Sequence, residues 1–130
     1  MTDSELFLDS SIWLGYFLGN NPKTKQIIDN ESNILFTSII SIHEVFKKLL
    51  ALNKTSKEAF NAIKFIENNS AVIYINKEIA LAAAINCGKY KLHTIDSLIY
   101  SSAIKTKSLF VTADKDFKST PKTKLIKIEY

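Results

Sequence analysis

The apolar residues of this chain occur in short unbroken runs, separated by longer stretches with an amphipathic pattern. Runs without alternation are typical of strands buried in a parallel sheet. They occur at Leu6–Leu8, Ile34–Phe36, Val72–Ile75 and Leu109–Val111. A fifth segment, residues 124–129, alternates between apolar and polar residues and predicts an edge strand.

The stretches between these strands predict six helices. The first is expected after a cap at Ser10 or Ser11 and ends near residue 18, and the second follows a break at residues 20–22 and ends near 29. The third opens at residue 38 or 41 and includes residue 50, and the remaining three span about 55–67, 78–89 and 95–105. The residues expected to cap or open them are Ser10 or Ser11, Ser38 or Ser41, Thr55 and Thr94. Thr55 is followed three residues later by Glu58, the signature of a capping box. The third helix has its expected apolar stripe at Ile42, Phe46, Leu49 and Leu50.

Strands that alternate with helices imply βαβ units, in which helices cover both faces of a mostly parallel sheet. A chain of 130 residues suits one domain and leaves no room for a second. We therefore expect residues 1–130 to form a single α/β domain, a three-layer α/β/α sandwich with a mostly parallel central sheet.

The composition is that of a folded domain, because 46% hydrophobic and 23% charged residues are enough for a core and a polar surface. No apolar run approaches the ~20 residues needed to span a bilayer, and the acidic segment Met1–Glu5 lacks the basic start of a signal peptide. The single cysteine, Cys87, cannot form an intrachain disulfide. These features predict a cytoplasmic protein that does not associate with membranes.

The net charge of +4 weakly favours an anionic partner, and every basic residue is a lysine. Residues 105–127 contain seven lysines and two aspartates, a net charge of +5 in this segment alone. Such a run is most often a solvated face. The functional interpretation is a strip that binds phosphates through point charges, with Lys115, Lys118 and Lys122 as candidate RNA contacts.

Four acidic residues are candidates for chemistry. Asp9 follows the first predicted strand, Asp114 follows the fourth, and the carboxyl ends of parallel strands meet at the edge where α/β proteins bind ligands. Asp96 lies in the first turn of a predicted helix and Glu44 lies inside another. Each also has a structural explanation as a strand end, a helix-dipole partner or a turn residue. Periodicity alone points Glu44 away from the apolar stripe and into solvent.

If these carboxylates converge, their repulsion raises each pKa, and a divalent cation would remove that repulsion. A set of oxygen ligands favours Mg²⁺ or Mn²⁺, ions that activate water for phosphodiester hydrolysis. His43 and His93 are too few and too far apart for a zinc site, and Cys87 lies in an alanine-rich helix as a core residue. The chain also lacks a glycine-rich phosphate loop, which argues against a nucleotide-binding enzyme.

Four segments together resemble the PIN-domain family, and at this length the chain is similar to the VapC toxins of toxin–antitoxin pairs. The segments are Leu8–Ser11, Ser41–Val45, Thr94–Ile99 and, most specific, Val111–Phe117. The resemblance implies that Asp9, Glu44, Asp96 and Asp114 form the catalytic site, with the metal held chiefly by Asp9, Asp96 and Asp114. It also implies that Asp116 adds a fifth carboxylate, that the hydroxyls of Ser10 and Thr112 orient the acids, and that the fold brings Glu44 to the cleft.

On this resemblance the chain is expected to be an Mg²⁺- or Mn²⁺-dependent endoribonuclease restrained by an antitoxin protein, and a homodimer is consistent with its apolar helix faces. A catalytically silent RNA-binding or assembly module is the alternative, although the complete set of acids argues against it. A signalling receiver domain fits poorly. It needs an adjacent acid pair after the first strand, where Ser10 follows Asp9, and an aspartate after a middle strand, where Asn76 and Lys77 follow the third.

Overall fold

A computed structural model of the chain describes residues 5–19 and 21–128. The strands are β1 (Glu5–Leu8), β2 (Ile34–Ser38), β3 (Ala71–Ile73), β4 (Leu109–Thr112) and β5 (Thr123–Leu125). The helices are α1 (Ser10–Leu18), α2 (Pro22–Asp29), α3 (Ile39–Ala51), α4 (Ser56–Asn69), α5 (Lys77–Tyr90) and α6 (Thr94–Thr106), with a 3₁₀ turn at Lys115–Phe117. None of these helices is long and apolar enough to cross a membrane.

The five strands form one sheet in the order β3-β2-β1-β4-β5, and every neighbouring pair is parallel. The central strand β1 pairs Leu8 with Thr37 of β2 and with Val111 of β4. The chain builds outward from β1 through β2 to β3 and then returns through α5 and α6 to β4, on the other side of β1. Ligands of α/β proteins bind where the strand order reverses in this way, at the carboxyl ends of β1 and β4.

The sheet separates two hydrophobic cores. Leu6 and Leu8 of β1 point to one face and pack with residues of α1 to α4, including the fully buried Trp13. Phe7 points to the other face and packs with residues of α6 such as Tyr100. This alternation follows from the period of two along a strand. It confirms the predicted three-layer α/β/α sandwich.

Two predicted helix starts are confirmed. The Ser38 hydroxyl caps α3 by accepting the Ile40 amide hydrogen at 3.1 Å. Thr55 and Glu58 form the expected capping box at α4, in which each side chain accepts the other residue's amide hydrogen. Both devices satisfy amides that have no partner inside the helix.

At two other helices the predicted cap is wrong, because the observed cap lies earlier in the sequence. Helix α1 is capped by Asp9, not by Ser10 or Ser11, because the Asp9 carboxylate accepts the Ser10 amide hydrogen at 2.8 Å. Helix α6 begins at Thr94 itself, with His93 in the cap position and no side-chain hydrogen bond to the helix. The first difference matters for the site, since the cap of α1 is also one of the candidate acids.

The predicted apolar stripe of α3 is rotated from the observed one. Its buried residues are Ser41, Val45 and Leu49, whereas Leu50 is 41% exposed. The helix packs against α4 as well as the sheet, so Phe46 lies at the side and contacts Phe60 with ring centroids 4.8 Å apart. Because of this rotation Glu44, which precedes the buried Val45, is half-buried, although the predicted stripe alone places it in solvent.

The outer strands are shorter than predicted. Strand β3 ends at Ile73, and Tyr74, included in the predicted strand, is 68% exposed. Strand β5 lies at the edge of the sheet, as expected, but covers Thr123–Leu125. The Ile126 amide still donates to the Thr112 carbonyl at 2.8 Å, and Glu129, the expected end of this strand, lies outside the described residues.

Trp13 joins α1 to two strands, and its replacement by Phe should lower the free energy of unfolding by about 1–3 kcal/mol. Its indole N–H donates to the Thr37 hydroxyl at 3.1 Å, and that hydroxyl donates to the Leu8 carbonyl at 2.8 Å. Phe removes the donor and leaves a space in a close-packed core. Urea unfolding of Trp13→Phe measures the loss. Tyr16→Phe, which removes a more exposed hydrogen bond to Asp29, is the control; an equal loss there would contradict the prediction.

Candidate metal and catalytic site

Asp9 lies at the point where β1 ends and α1 begins, and it is buried. One carboxylate oxygen, Oδ1, accepts the Ser10 amide hydrogen; the other, Oδ2, accepts the hydroxyls of Thr112 at 2.6 Å and Ser11 at 3.1 Å. The Asp9 amide donates to the Val111 carbonyl at 3.0 Å, and this hydrogen bond links Asp9 to β4. Burial raises the pKa of Asp9, and the three hydrogen bonds oppose but do not cancel that rise.

Thr112 and Ser11 connect the acid of β1 to the loop after β4. The buried Thr112 hydroxyl donates to Asp9 and accepts the Asp114 amide hydrogen at 3.0 Å. The Ser11 hydroxyl donates to Asp9 and accepts the Ala113 amide hydrogen at 2.9 Å. The positions of two acids more than 100 residues apart are therefore set by two small hydroxyl side chains.

Ser11 was not among the candidate site residues taken from the sequence. The sequence pattern predicts either serine after Asp9 as a helix cap, and the family resemblance assigns only Ser10 to the site. The two serines have different contacts: Ser11 reaches Asp9, whereas the Ser10 side chain bonds to Glu44 and lowers its pKa. Both serines lie in the first turn of α1, and such a pair directly after the acid at a strand end is a signal that the sequence does contain.

Asp114 caps the 3₁₀ turn that follows β4. Its carboxylate accepts the Asp116 amide hydrogen at 2.9 Å, so the turn holds the two acids close together. Asp96, in the first turn of α6, completes the group: one carboxylate oxygen from each of these three residues lies within 4.8 Å of the others. Asp96 and Asp114 are half-buried, and Asp116 is exposed.

The pKa of Asp96 is raised to about 6, first by burial and then by the negative charges of Asp114, Asp9 and Asp116. The pKa of Glu44 is also raised, by burial first and then by the charges of Asp9, Asp96 and Asp114. Each of the five acids thus acts on at least one other. Such repulsion is costly unless a cation compensates it.

The structure brings together all five candidate acids, but the three that lie closest together are not the predicted metal set. The tight group of oxygens is formed by Asp96, Asp114 and Asp116, whereas resemblance implied a metal set of Asp9, Asp96 and Asp114. Asp9 is buried and does not belong to this group, and its carboxylate accepts hydrogen bonds from Ser10, Ser11 and Thr112. Asp116, expected as an auxiliary acid, is therefore placed as well for cation binding as the other two.

The side chains present fit a hard divalent cation. The donor atoms are carboxylate oxygens, which Mg²⁺ and Mn²⁺ prefer, and no histidine or cysteine belongs to the group of three. The pKa values of Asp9, Glu44 and Asp96 are raised first by burial and then by neighbouring negative charges, and a bound cation would stabilise these carboxylates. Both observations support a metal centre at this edge of the sheet.

A cavity of about 580 Å³ opens beside these acids. The end of α5 and the loop to α6 contribute residues 89–93, and Asp96, Lys115, Asp116, Lys118 and Ser119 complete the wall. Two of the three lysines expected to contact RNA, Lys115 and Lys118, therefore line it. Lys122 is not among the lining residues; its backbone is left-handed, with φ of 53°, and its carbonyl accepts the Phe110 amide hydrogen.

A family model for the PIN domain matches residues 6–123 of the chain, a range that includes all five acids. No curated protein sequence gives a significant match.

Solved structures of toxin–antitoxin proteins share the fold. One chain of a toxin–antitoxin complex from Klebsiella pneumoniae is 21% identical to this chain. The match covers 92% of this chain and 95% of that one, with a TM-score of 0.76. A VapBC complex from Rickettsia felis, bound to a fragment of its promoter DNA, is 15% identical over 96% and 99%, with a TM-score of 0.77. A Mycobacterium tuberculosis VapC toxin that cleaves the sarcin–ricin loop is 13% identical over 96% and 99%, with a TM-score of 0.71.

Proposed function

The chain belongs to the PIN-domain family, and on that premise we propose that it is a metal-dependent endoribonuclease that hydrolyses RNA phosphodiester bonds. The observation that carries the proposal is the convergence of acids from β1, α3, α6 and the loop after β4 at one edge of the sheet. Four elements that are far apart in sequence supply them. Such a concentration of negative charge destabilises the fold unless a bound cation compensates it.

Asp96, Asp114 and Asp116 would hold Mg²⁺ or Mn²⁺, with Asp9 behind them. When bound, the cation would polarise a phosphate oxygen and lower the pKa of a water molecule. Asp9 is kept in place for this role by Thr112 and Ser11, whose hydroxyls fix its carboxylate. Ser10 orients Glu44, a half-buried carboxylate of raised pKa that is suited to position the attacking water and accept its proton.

The likeness to toxins of toxin–antitoxin complexes supports the further proposal that this chain is the toxin of such a pair. Its partner would then be an antitoxin protein that covers the acidic edge of the sheet. The likeness extends over more than nine-tenths of this chain and of the toxins from Klebsiella pneumoniae and Rickettsia felis. This extent supports a single PIN-like domain over residues 1–130.

Cleavage of total cellular RNA by the purified protein tests the nuclease proposal. The wild type is incubated with Mg²⁺, with Mn²⁺ and with EDTA, beside Asp114→Asn purified in the same way. Asn keeps an oxygen that can accept the Asp116 amide hydrogen, so the turn should survive while the charge is lost. We expect discrete RNA fragments from the wild type with either metal, and intact RNA with EDTA or with the variant.

The proposal is wrong if the wild type and Asp114→Asn give identical patterns, since the cleavage would then come from a contaminant. Intact RNA in every reaction would favour the alternative, a catalytically silent RNA-binding or assembly module. Mass spectrometry of the purified sample must then exclude a copurified antitoxin, because a bound antitoxin would also keep the RNA intact. Sequencing the fragment ends would identify the target RNA.

A further inference from the structure

The cavity beside the acidic group is lined by lysines from two separate parts of the chain. Lys89 and Lys91 come from the end of α5, and Lys115 and Lys118 come from the loop after β4. The run of lysines in residues 105–127 could not predict this arrangement, since half of the cavity's lysines lie outside it. All four side chains are exposed.

The positive charge of the cavity is not used by the fold. Among the described residues, none of these four lysines forms a salt bridge, whereas Lys105 of the same basic run pairs with Glu78. Lys89 lies over the Tyr90 ring, 5.3 Å from its centroid, and this contact leaves its charge uncompensated. The cavity wall holds these four lysines and two aspartates, a formal net charge of +2 that favours an anion in the cavity.

The shape and chemistry of the cavity suit a nucleotide better than a simple anion. Its volume of about 580 Å³ lies within the range of roughly 300–1,000 Å³ typical of ligand pockets. The wall includes Tyr90, whose half-buried ring is held edge-on by Tyr100, together with Leu92. An aromatic ring among lysines can support a base while the cations hold its phosphates, the combination found in proteins that bind single-stranded nucleic acids.

We infer that this cavity binds a nucleotide of single-stranded RNA next to the phosphate that is cleaved, with Lys89 and Lys91 as its phosphate contacts. The inference rests on the proposed nuclease function. Asp96 and Asp116 belong both to the cavity wall and to the acidic group, so a strand whose phosphate reaches the metal centre continues directly into the cavity. The loop from α5 to α6 is therefore an RNA contact in addition to the C-terminal lysines.

The test is a binding measurement that does not depend on cleavage. A fluorescent single-stranded RNA is titrated in Mg²⁺ with Asp114→Asn, which should leave it intact, and with the same protein carrying Lys89→Gln and Lys91→Gln. The matched control carries Lys57→Gln and Lys64→Gln on α4, which packs on the opposite face of the sheet. Both pairs remove two positive charges from exposed helical or helix-end positions.

We expect the Lys89/Lys91 pair to weaken RNA binding about tenfold at low salt, and the control pair to change it less than about twofold. The slope of log K against log salt should fall in magnitude by about 1.4 for the first pair, at ~0.7 per phosphate contact, and stay constant for the control. Equal effects of the two pairs would show only diffuse electrostatics and would overturn the inference. So would the absence of RNA binding by Asp114→Asn itself.

An acidic peptide is the competing occupant. A poly-glutamate peptide of the same charge as the RNA is therefore added as competitor. If it displaces the RNA at equal concentration, and loses this ability in the Lys89/Lys91 variant, the cavity belongs to an acidic protein segment and not to RNA. The wild-type cleavage assay and this binding assay fail independently, so failure of the nuclease proposal can be told apart from failure of the subsite.

Discussion

Asp96→Asn should abolish RNA cleavage and, in the absence of metal, make the protein more stable. The substitution removes one of the three clustered carboxylates, which should reduce cleavage at least about 100-fold, because metal stabilisation of charge in the transition state amounts to several kcal/mol. The gain in stability follows from the pKa of Asp96, raised to about 6 by burial and by neighbouring negative charges.

The sign of the stability change can be derived from proton binding. Because the pKa of Asp96 is higher in the folded protein than in the unfolded chain, the folded state binds more protons between about pH 4 and pH 6. Stability therefore falls as the pH rises through this range, and the full penalty is present at neutral pH. Asn lacks the charge and escapes the penalty, a gain on the order of 1 kcal/mol after allowance for solvent screening of a half-exposed group.

Thermal unfolding with EDTA and with Mg²⁺ measures this effect. In EDTA at neutral pH, Asp96→Asn should melt about 2–5 °C above the wild type. Mg²⁺ should raise the melting temperature of the wild type more than that of the variant, because the wild type binds the ion more tightly. Glu67→Gln, on the exposed face of α4, is the control and should match the wild type in both assays. A variant less stable than the wild type in EDTA would show that the acids do not repel one another as described.

Thr112→Val should reduce cleavage about 10- to 100-fold, the usual effect of removing a side chain that orients a metal ligand or catalytic acid. Val has nearly the shape of Thr but lacks the hydroxyl that donates to Asp9 and accepts the Asp114 amide hydrogen. Asp9 then loses the strongest of the hydrogen bonds that lower its pKa. The pKa of Asp9 rises further, so the acid limb of the pH–activity profile should move to higher pH.

Thr112→Ser is the matched control, because it keeps the hydroxyl and removes only a methyl group. Its pH profile and activity should stay close to those of the wild type. The stability loss of Thr112→Val should be about 1–3 kcal/mol, since a partly buried amide and a buried carboxylate oxygen each lose a partner. If Val and Ser variants are equally active with the same pH profile, the hydroxyl does not position the acids.

The layers of this fold could be predicted because four of the five strands contain a short apolar run and the longer stretches between them have helical patterns. Leu6–Leu8 and Leu109–Val111 have no polar residue to place on a solvated face, so they belong inside a sheet covered on both sides. The capping box of Thr55 and Glu58 is a local signal that does not depend on the rest of the chain. Strand ends were less predictable, because Tyr74 fits a strand pattern but lies beyond the last partner of β3.

The candidate site was only partly predictable, because it depends on contacts between segments that are distant in the sequence. Asp9 and Asp114 could be placed together because parallel strands share one carboxyl edge. The position of Glu44 depends on how α3 is rotated against α4, which periodicity does not determine. The lysines of the cavity could not be grouped either, because Lys91 and Lys118 meet only after α5 and α6 have crossed to the far side of β1.

The central position of β1 has a consequence for the synthesis of the protein. Asp9 is synthesised about 100 residues before its hydrogen-bond partner Thr112 and its strand partner β4. Until residues 109–112 have left the ribosome, β1 lacks one of its two neighbouring strands, β4, and the acids cannot assemble. Under the proposed nuclease function, a nascent chain that lacks residues 109–112 has no assembled site with which to cut the messenger and ribosomal RNA around it.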